Sequence, residues 1–133
     1  MAKLKRVMTS GGHFYGVRFH CPGCDRAHIL PTDETPPEVT KADRWQFNRD
    51  YDRPVLSPSI LSRTHSWEPP WTPEIADKIE SGEIVQTKVL HVCHSYVGIN
   101  GAQPGEIIFL GDCTHSFAGK VVPLPDIETQ EDL

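Results

Sequence analysis

Proline placement constrains the fold of this chain more than any other sequence feature. Twelve prolines and ten glycines interrupt 133 residues, and eight of the prolines lie between Pro31 and Pro73. Proline fixes φ and removes a backbone N–H, so regular elements around these positions should be short. A small domain of short elements has a modest core and benefits from an additional link. We therefore expect one domain, mostly irregular from Pro31 to Pro73, that is stapled by such a link.

The composition limits the classes of protein to consider. The chain is 38% hydrophobic and 23% charged, which is typical of folded globular domains. Its net charge of -5 disfavours nucleic acid as a partner, because nonspecific affinity comes mainly from neutralising phosphates. There is neither a signal-peptide pattern nor a run approaching the roughly 20 apolar residues of a membrane span. We expect a soluble, cytosolic protein that makes no membrane contact.

Residue alternation and turn signals predict two β-hairpins. The first pairs residues 4–9 with residues 15–19 across a Ser-Gly-Gly turn. The second pairs residues 84–97 with residues 106–110 across a turn-rich loop. If that loop closes symmetrically near Ala102, the register follows. It places Val97 opposite Ile107, Ser95 opposite Phe109, and Cys93 close to Cys113.

The remaining elements are short. Thr72, Pro73 and Glu74 provide a cap, an N-terminal proline and a first-turn acid, so they predict a helix over 73–81 that stops at Gly82. A further strand is predicted over 120–124. The expected organisation is a single zinc-binding domain over 1–125 followed by an acidic, solvated tail over 126–133.

The motif Cys21-Pro22-Gly23-Cys24 carries the most chemistry in the sequence. Two thiolates separated by a tight Pro-Gly turn can both reach one tetrahedral ion at about 2.3 Å. In a reducing compartment, cysteines are metal ligands more often than disulfides. The motif therefore predicts a zinc knuckle.

The second half of the predicted zinc site is the pair Cys93 and Cys113, joined by the second hairpin. A closed four-thiolate site of Cys21, Cys24, Cys93 and Cys113 would be structural. A Cys3His site remains open as an alternative. In that case the histidine is one of three neighbours of the cysteines: His28, His94 or His115.

His94, Asp112 and His115 suggest a second use of the same segments. A catalytic metal needs an open position and a nearby base, and a carboxylate commonly orients a histidine. These residues would then serve an open metal site, beside Asn48, Asp50 and Ser57, in a small zinc-dependent hydrolase. The alternative, which we favour from sequence, is that they only hydrogen-bond the backbone around a structural zinc.

The middle of the chain mixes aromatic and polar residues. The favoured interpretation is that Trp45, Phe47 and Leu56 pack on a sheet, while Ser57 and Ser59 satisfy backbone groups in turns. Trp67 and Trp71 flank a proline bend and either face a partner, because Trp is enriched at binding hot spots, or pack against the start of the predicted helix. No G-x-S-x-G elbow, phosphate-binding glycine loop or H-E-x-x-H helix is present.

Taken together, five spaced blocks resemble a family of short bacteriophage and prophage proteins of unassigned function, over about residues 14–126. The blocks are Phe19-His-Cys21-Pro-Gly-Cys24, Trp45-x-Phe47-Asn48-x-Asp50, Leu56-Ser57-Pro58-Ser59-Ile60, Cys93-His94-Ser95-Tyr96 and Phe109-Leu-Gly-Asp112-Cys113-Thr114-His115. Members are often labelled ammonia monooxygenase. That enzyme is a membrane-embedded copper protein, whereas this chain lacks a span and its soft cysteine ligands suit zinc better.

The resemblance implies a phage gene product that is expressed in the cytoplasm of the bacterial host, or carried in the virion, with the cysteine blocks as metal ligands. We expect a β-rich α+β domain of two β-hairpins clamped by one Zn²⁺, with one short helix and a proline-rich irregular segment. The favoured function is a noncatalytic, zinc-stabilised phage accessory module that binds a phage or host protein. The alternatives are the zinc-dependent hydrolase and a virion component bound to capsid or tail.

Overall fold

The computed structural model describes residues 2–127, which form a small β-rich domain of eight strands and one short helix. The elements are β1 Lys5–Met8, β2 Phe14–Cys21, β3 Arg26–Leu30, β4 Gln46–Phe47, β5 Leu56–Glu68, α1 Pro73–Glu80, β6 Thr87–Val97, β7 Glu106–Phe109 and β8 Val121–Pro123. All strand pairs within the two sheets are antiparallel. The one helix over this range is too short and polar to cross a bilayer.

The first sheet has the order β1-β2-β3. Its β1-β2 hairpin was predicted, but β3 was not. The Cys-Pro-Gly-Cys turn reverses the chain after β2, and Arg26 then pairs with Cys21 to start β3. The knuckle motif is therefore the turn of a β2-β3 hairpin that was not predicted. This hairpin brings His28 beside Phe19.

The second sheet has the order β4-β5-β6-β7-β8, and its longest strand corrects the sequence interpretation. The segment from Pro31 to Pro73 is mostly irregular, as expected, but it also contains β4 and the 13-residue β5, which the sequence interpretation does not predict. Pro58 is tolerated in β5 because it lies where the pairing with β6 shifts, between Leu56 and Ile60. A proline at such a bulge removes no regular ladder hydrogen bond.

The predicted hairpin between residues 84–97 and 106–110 is confirmed as β6-β7, and so is its register. Val97 pairs with Ile107 and Ser95 with Phe109. The helix begins at Pro73 as predicted, and the Thr72 side chain accepts a hydrogen bond from the Ile75 N–H.

One apolar core joins the two sheets. Its largest members alternate along the strands with less deeply buried residues, as half-buried strands require. They include Val17 and Phe19 from the first sheet and Leu56, Ile107 and Phe109 from the second.

At the end of the described chain, the Ile127 N–H bonds the Ala2 carbonyl and the Lys3 ammonium contacts Asp126. The rest of the expected tail, 128–133, lies outside the described residues.

Candidate active site and metal centre

Strand β6 separates two clusters of functional side chains onto its two faces. Successive side chains of a strand point to opposite sides of the sheet. Cys93 is buried in the core, whereas the next residue, His94, faces outward and its side chain is 24% exposed. In the turn after β7, Cys113 is buried and Asp112 is exposed. The sulfur chemistry therefore lies inside the domain and the imidazole–carboxylate pair lies on its surface.

On the outer face, three side chains form a continuous hydrogen-bonded line. His94 Nδ1 lies 3.0 Å from Asp112 Oδ2. The other ring nitrogen, His94 Nε2, lies 3.1 Å from Ser59 Oγ. The histidine thus bridges a hydroxyl and a carboxylate, with one nitrogen for each.

Backbone contacts fix the members of this line. The Trp45 indole N–H donates to the Ser59 carbonyl at 3.3 Å, which holds β5 at the residue bearing the hydroxyl. The Leu110 N–H donates to the His94 carbonyl, which ties β6 to the chain leading to Asp112. The His94 N–H also lies 3.2 Å from Cys113 Sγ. The three functional groups are therefore positioned by neighbouring chain segments and not by long flexible loops.

A second serine–histidine contact on the same ladder lacks a carboxylate on its histidine, although Ser66 Oγ donates to the Glu68 carboxylate at 3.4 Å. Ser66 Oγ lies 2.6 Å from His91 Nε2, and both residues are exposed or half-buried. Over residues 2–127, no carboxylate hydrogen-bonds the His91 ring. This pair is a natural control for the Ser59 group.

On the inner face, four potential metal ligands converge. The ligand atoms of Cys21, Cys24, His28 and Cys93 all lie within 4.8 Å of one another. Cys21 ends β2, Cys24 lies in the following turn, His28 lies in β3, and Cys93 comes from β6. The group therefore joins the two sheets.

The distances in this group fit a tetrahedral zinc ion. With Zn–S bonds of about 2.3 Å and a Zn–N bond of about 2.0 Å, tetrahedral geometry separates two sulfurs by about 3.8 Å and a sulfur from a nitrogen by about 3.5 Å. Cys21 Sγ and Cys93 Sγ are 3.7 Å apart. Cys24 Sγ and His28 Nε2 are 3.4 Å apart. The chemistry and spacing of the donors both match a Cys3His site.

Proton affinities within the group are strongly unequal. Hydrogen bonds with Cys21 and Cys93 lower the pKa of the Cys24 thiol. Hydrogen bonds with Cys21 and Cys24 raise the pKa of the Cys93 thiol. Burial alone would lower the pKa of His28, but hydrogen bonds and charge from Cys21 and Cys24 raise it to about 9. Without metal, the cluster therefore favours a thiolate at Cys24 beside a protonated His28.

The structure brings together three of the four predicted cysteine ligands and places the fourth elsewhere. Cys21, Cys24 and Cys93 come together, and His28, one of the three histidines considered, completes the group. Cys113 is not a member of the group, because its sulfur lies against the backbone of His94. Burial raises the pKa of this thiol. His115 packs edge-on against Phe109 and is not in the group either.

The residues of the alternative zinc-dependent hydrolase do not gather around the metal group. His94 and Asp112 do meet, as that alternative required, but their third partner is Ser59 and not the metal group. Asn48 and Asp50 instead bond backbone N–H groups in the turn before β5.

Ser59 is the functional residue that the sequence interpretation missed. The surrounding prolines predict a turn at Ser59 and so conceal β5. One signal in the sequence could have identified Ser59. It belongs to one of the five blocks, as His94 and Asp112 do.

A hydroxyl, an imidazole and a carboxylate in this hydrogen-bonded order form the arrangement of a serine-hydrolase catalytic triad. The imidazole can accept the hydroxyl proton while the carboxylate orients the ring and stabilises its positive charge. The fold and site thus define a small β-rich domain that carries, on one face of a sheet, a Ser-His-Asp group arranged as in a serine hydrolase.

A family model described as bacterial ubiquitination-like system serine protease (BubE) matches residues 2–103, and the chain belongs to this family. The matched range contains Ser59, His94 and all four members of the metal group, and it ends before Asp112. No curated protein and no solved structure matches the chain.

Proposed function

We propose that this protein is a serine protease in which Ser59 is the nucleophile, His94 the general base and Asp112 the orienting carboxylate. The observation that carries the proposal is the unbroken line from Ser59 Oγ through both His94 nitrogens to Asp112 Oδ2. The family's description supports the same chemistry. This proposal takes the place of the noncatalytic module favoured from the sequence alone.

The reaction follows from the positions of the donors and acceptors. Ser59 Oγ attacks the carbonyl carbon of the scissile peptide bond while its proton moves to His94 Nε2. The tetrahedral intermediate expels the amine, which takes that proton, and an acyl group remains on Ser59. A water molecule, deprotonated by His94, then attacks the acyl ester and releases the acid. Asp112 keeps Nδ1 protonated throughout, so that Nε2 is free to accept.

The family's description refers to a bacterial ubiquitination-like system. We therefore propose a polypeptide of such a system as the substrate. A phage or host protein, the partner expected from sequence, can act in that role.

We further propose that the Cys3His group binds one Zn²⁺ as a structural ion. Three thiolates and an imidazole form a closed set that leaves no position for a catalytic water. The ion would link β2, β3 and β6, and through Cys93 it would hold the strand that carries His94. Its contribution would be to folding and positioning, with no direct part in bond cleavage.

Covalent labelling tests the triad without knowledge of the substrate. A fluorophosphonate probe should modify the purified protein once, and mass spectrometry of the digested adduct should place the label on Ser59. Ser59→Ala should abolish labelling. The matched control, Ser66→Ala, removes the hydroxyl of the other serine–histidine pair and should label at the parental rate.

The outcomes separate the possible functions. Label on Ser66, or no label on a folded and metal-loaded protein, would contradict the proposed protease. The latter result would return the noncatalytic binding module to first place.

A further inference from the structure

The strand that carries Ser59 has one unpaired edge. The β4 strand pairs with β5 only at Leu56 and Ser57. Beyond that point, β6 covers one edge of β5 as far as Glu68. Over residues 2–127, no strand pairs with the opposite edge after Ser57.

The hydrogen bonds of β6 show which β5 residues direct their backbone groups to this edge. The carbonyls of Val92 and His94 accept from Thr114 and Leu110, on the β7 side of β6. Because backbone groups alternate along a strand, Cys93 must bond toward β5. Its partner in β5 is the even-numbered Ser62.

The odd-numbered residues of β5 therefore point their N–H and C=O groups away from β6. The indole contact to the Ser59 carbonyl agrees with this direction, since Trp45 lies on the β4 side. The N–H and C=O groups on the uncovered edge belong to Leu61, Arg63, His65 and Trp67, and no hydrogen bond within the described residues uses them.

The side chains of these residues extend the surface of the triad. Leu61 pairs with His94, and directly paired residues share a face of the sheet. Leu61 is 50% exposed and Trp67 is 53% exposed. Arg63 forms no ion pair in the described part of the chain. Four exposed side chains thus follow Ser59 at two-residue intervals: an apolar residue, a free cation, an imidazole and an indole, from Leu61, Arg63, His65 and Trp67.

We propose that the substrate polypeptide binds as an extended strand along this edge of β5, with its scissile bond at the Ser59 end. This proposal rests on the proposed protease function and specifies how that same site recognises its substrate. An extended peptide can satisfy the unpaired groups by strand addition, in which the main chain supplies affinity and alternate side chains supply specificity. Because the edge starts immediately after the nucleophile, a peptide paired with it leads into the triad.

The surface also predicts side-chain preferences. Cross-strand neighbours interact directly, so the substrate residue beside Leu61 should be apolar. The residue beside Arg63 should be acidic. The substrate segment should be unfolded before it binds, since a segment already paired in its own sheet has no free edge to offer.

A peptide library provides the first test. The zinc-loaded protein is incubated with peptides from a digested bacterial proteome, and new termini are identified by mass spectrometry. We expect cleavage sites flanked on one side by a segment with an acidic preference. If Ser59 reacts with the fluorophosphonate but no peptide is cleaved, the strand-addition proposal is overturned while the triad stands. If Ser59 does not react, the protease function itself fails.

An N-methyl scan of one cleaved peptide tests strand pairing directly. Methylation blocks one backbone donor at a time, and strand pairing uses every second residue. We expect kcat/KM to fall about tenfold at alternate positions on one side of the scissile bond, and to change less than twofold at the positions between. A decline without this period of two would contradict the proposal.

Amide exchange gives an independent readout on the protein. With Ser59→Ala and the same peptide, the amide protons of Leu61, Arg63 and His65 should exchange more slowly in the complex. The amide proton of Ser62, already bonded to β6, serves as the internal control. Unchanged exchange at the three odd positions under saturating peptide would overturn the proposal.

Discussion

Replacing Asp112 with asparagine isolates the electrostatic contribution of the carboxylate to the triad. The asparagine side chain would retain the size of the aspartate and its distance from His94, so the fold should not change. The substitution removes the negative charge that faces the imidazolium formed when Ser59 reacts. It also allows the amide to donate to Nδ1, which would leave Nε2 protonated and unable to accept the serine proton.

The expected loss follows from the exposure of this side chain. Oδ2 lies 3.0 Å from Nδ1, so the two charge centres are about 4 Å apart. The Asp112 side chain is 53% exposed, which places the effective dielectric constant between that of a protein surface and that of water. The interaction is then worth about 1 to 4 kcal/mol. This energy corresponds to a loss of about 5- to 1,000-fold in rate. A triad with a buried aspartate loses about 10⁴-fold.

The measurement is the second-order rate of fluorophosphonate labelling, with bound metal and melting temperature recorded for each variant. Asp25→Asn is the matched control. Asp25 makes a similar contact of 2.8 Å to His20, but this pair lies at the knuckle turn and does not face Ser59. Asp25→Asn should label at the parental rate. An Asp112→Asn protein that labels within twofold of the parent would refute the assigned role of the carboxylate.

Three further predictions concern the metal group and the packing of the sheets. His28→Ala should reduce bound zinc well below one per chain by elemental analysis, whereas Cys113→Ser should retain it; the reverse result would restore the four-thiolate site. Zinc binding should release protons, since His28, with a pKa of about 9, must become neutral to bind metal. Metal affinity should therefore rise with pH up to about 9 and then level off with respect to this group, and calorimetry in buffers of different ionisation enthalpy would count the protons. Gly16→Ala should lower stability by about 3 kcal/mol or more in denaturant melts, because a Cβ there would lie 2.0 Å from the Leu30 carbonyl oxygen, while Gly11→Ala, whose nearest neighbour would be at 3.5 Å, should be nearly neutral.

Sequence reasoning succeeded where the interactions are local. The register of Val97 with Ile107 followed from β-favouring residues on both sides of one short loop. The helix start followed from the threonine cap and the proline after it. The CxxC pair was identified because its spacing alone defines a shared ligand geometry.

The failures involve long-range pairing. Strand β5 is stabilised by β6 across a connection that contains α1, and its prolines favour irregular structure when considered in isolation. Ser59 and His94 are 35 residues apart and meet only because that ladder forms. His28 was one of three equivalent candidates until β3 placed it against the knuckle. The Ser59–His94–Asp112 group could therefore not be assembled from motif spacing.

The alternation of Cys93 and His94 has a consequence for how this sequence can change over evolution. A strand repeats every two residues, so a one-residue displacement of β6 turns each side chain to the opposite face. Deleting one residue within β6 would direct an imidazole toward the sulfur ligands and a thiol toward Ser59, and would disable both centres at once. An insertion between β5 and β6 near α1 carries no such penalty, because the connection can absorb added length at small cost in entropy. Length variation among relatives should therefore concentrate in that connection and spare the strand.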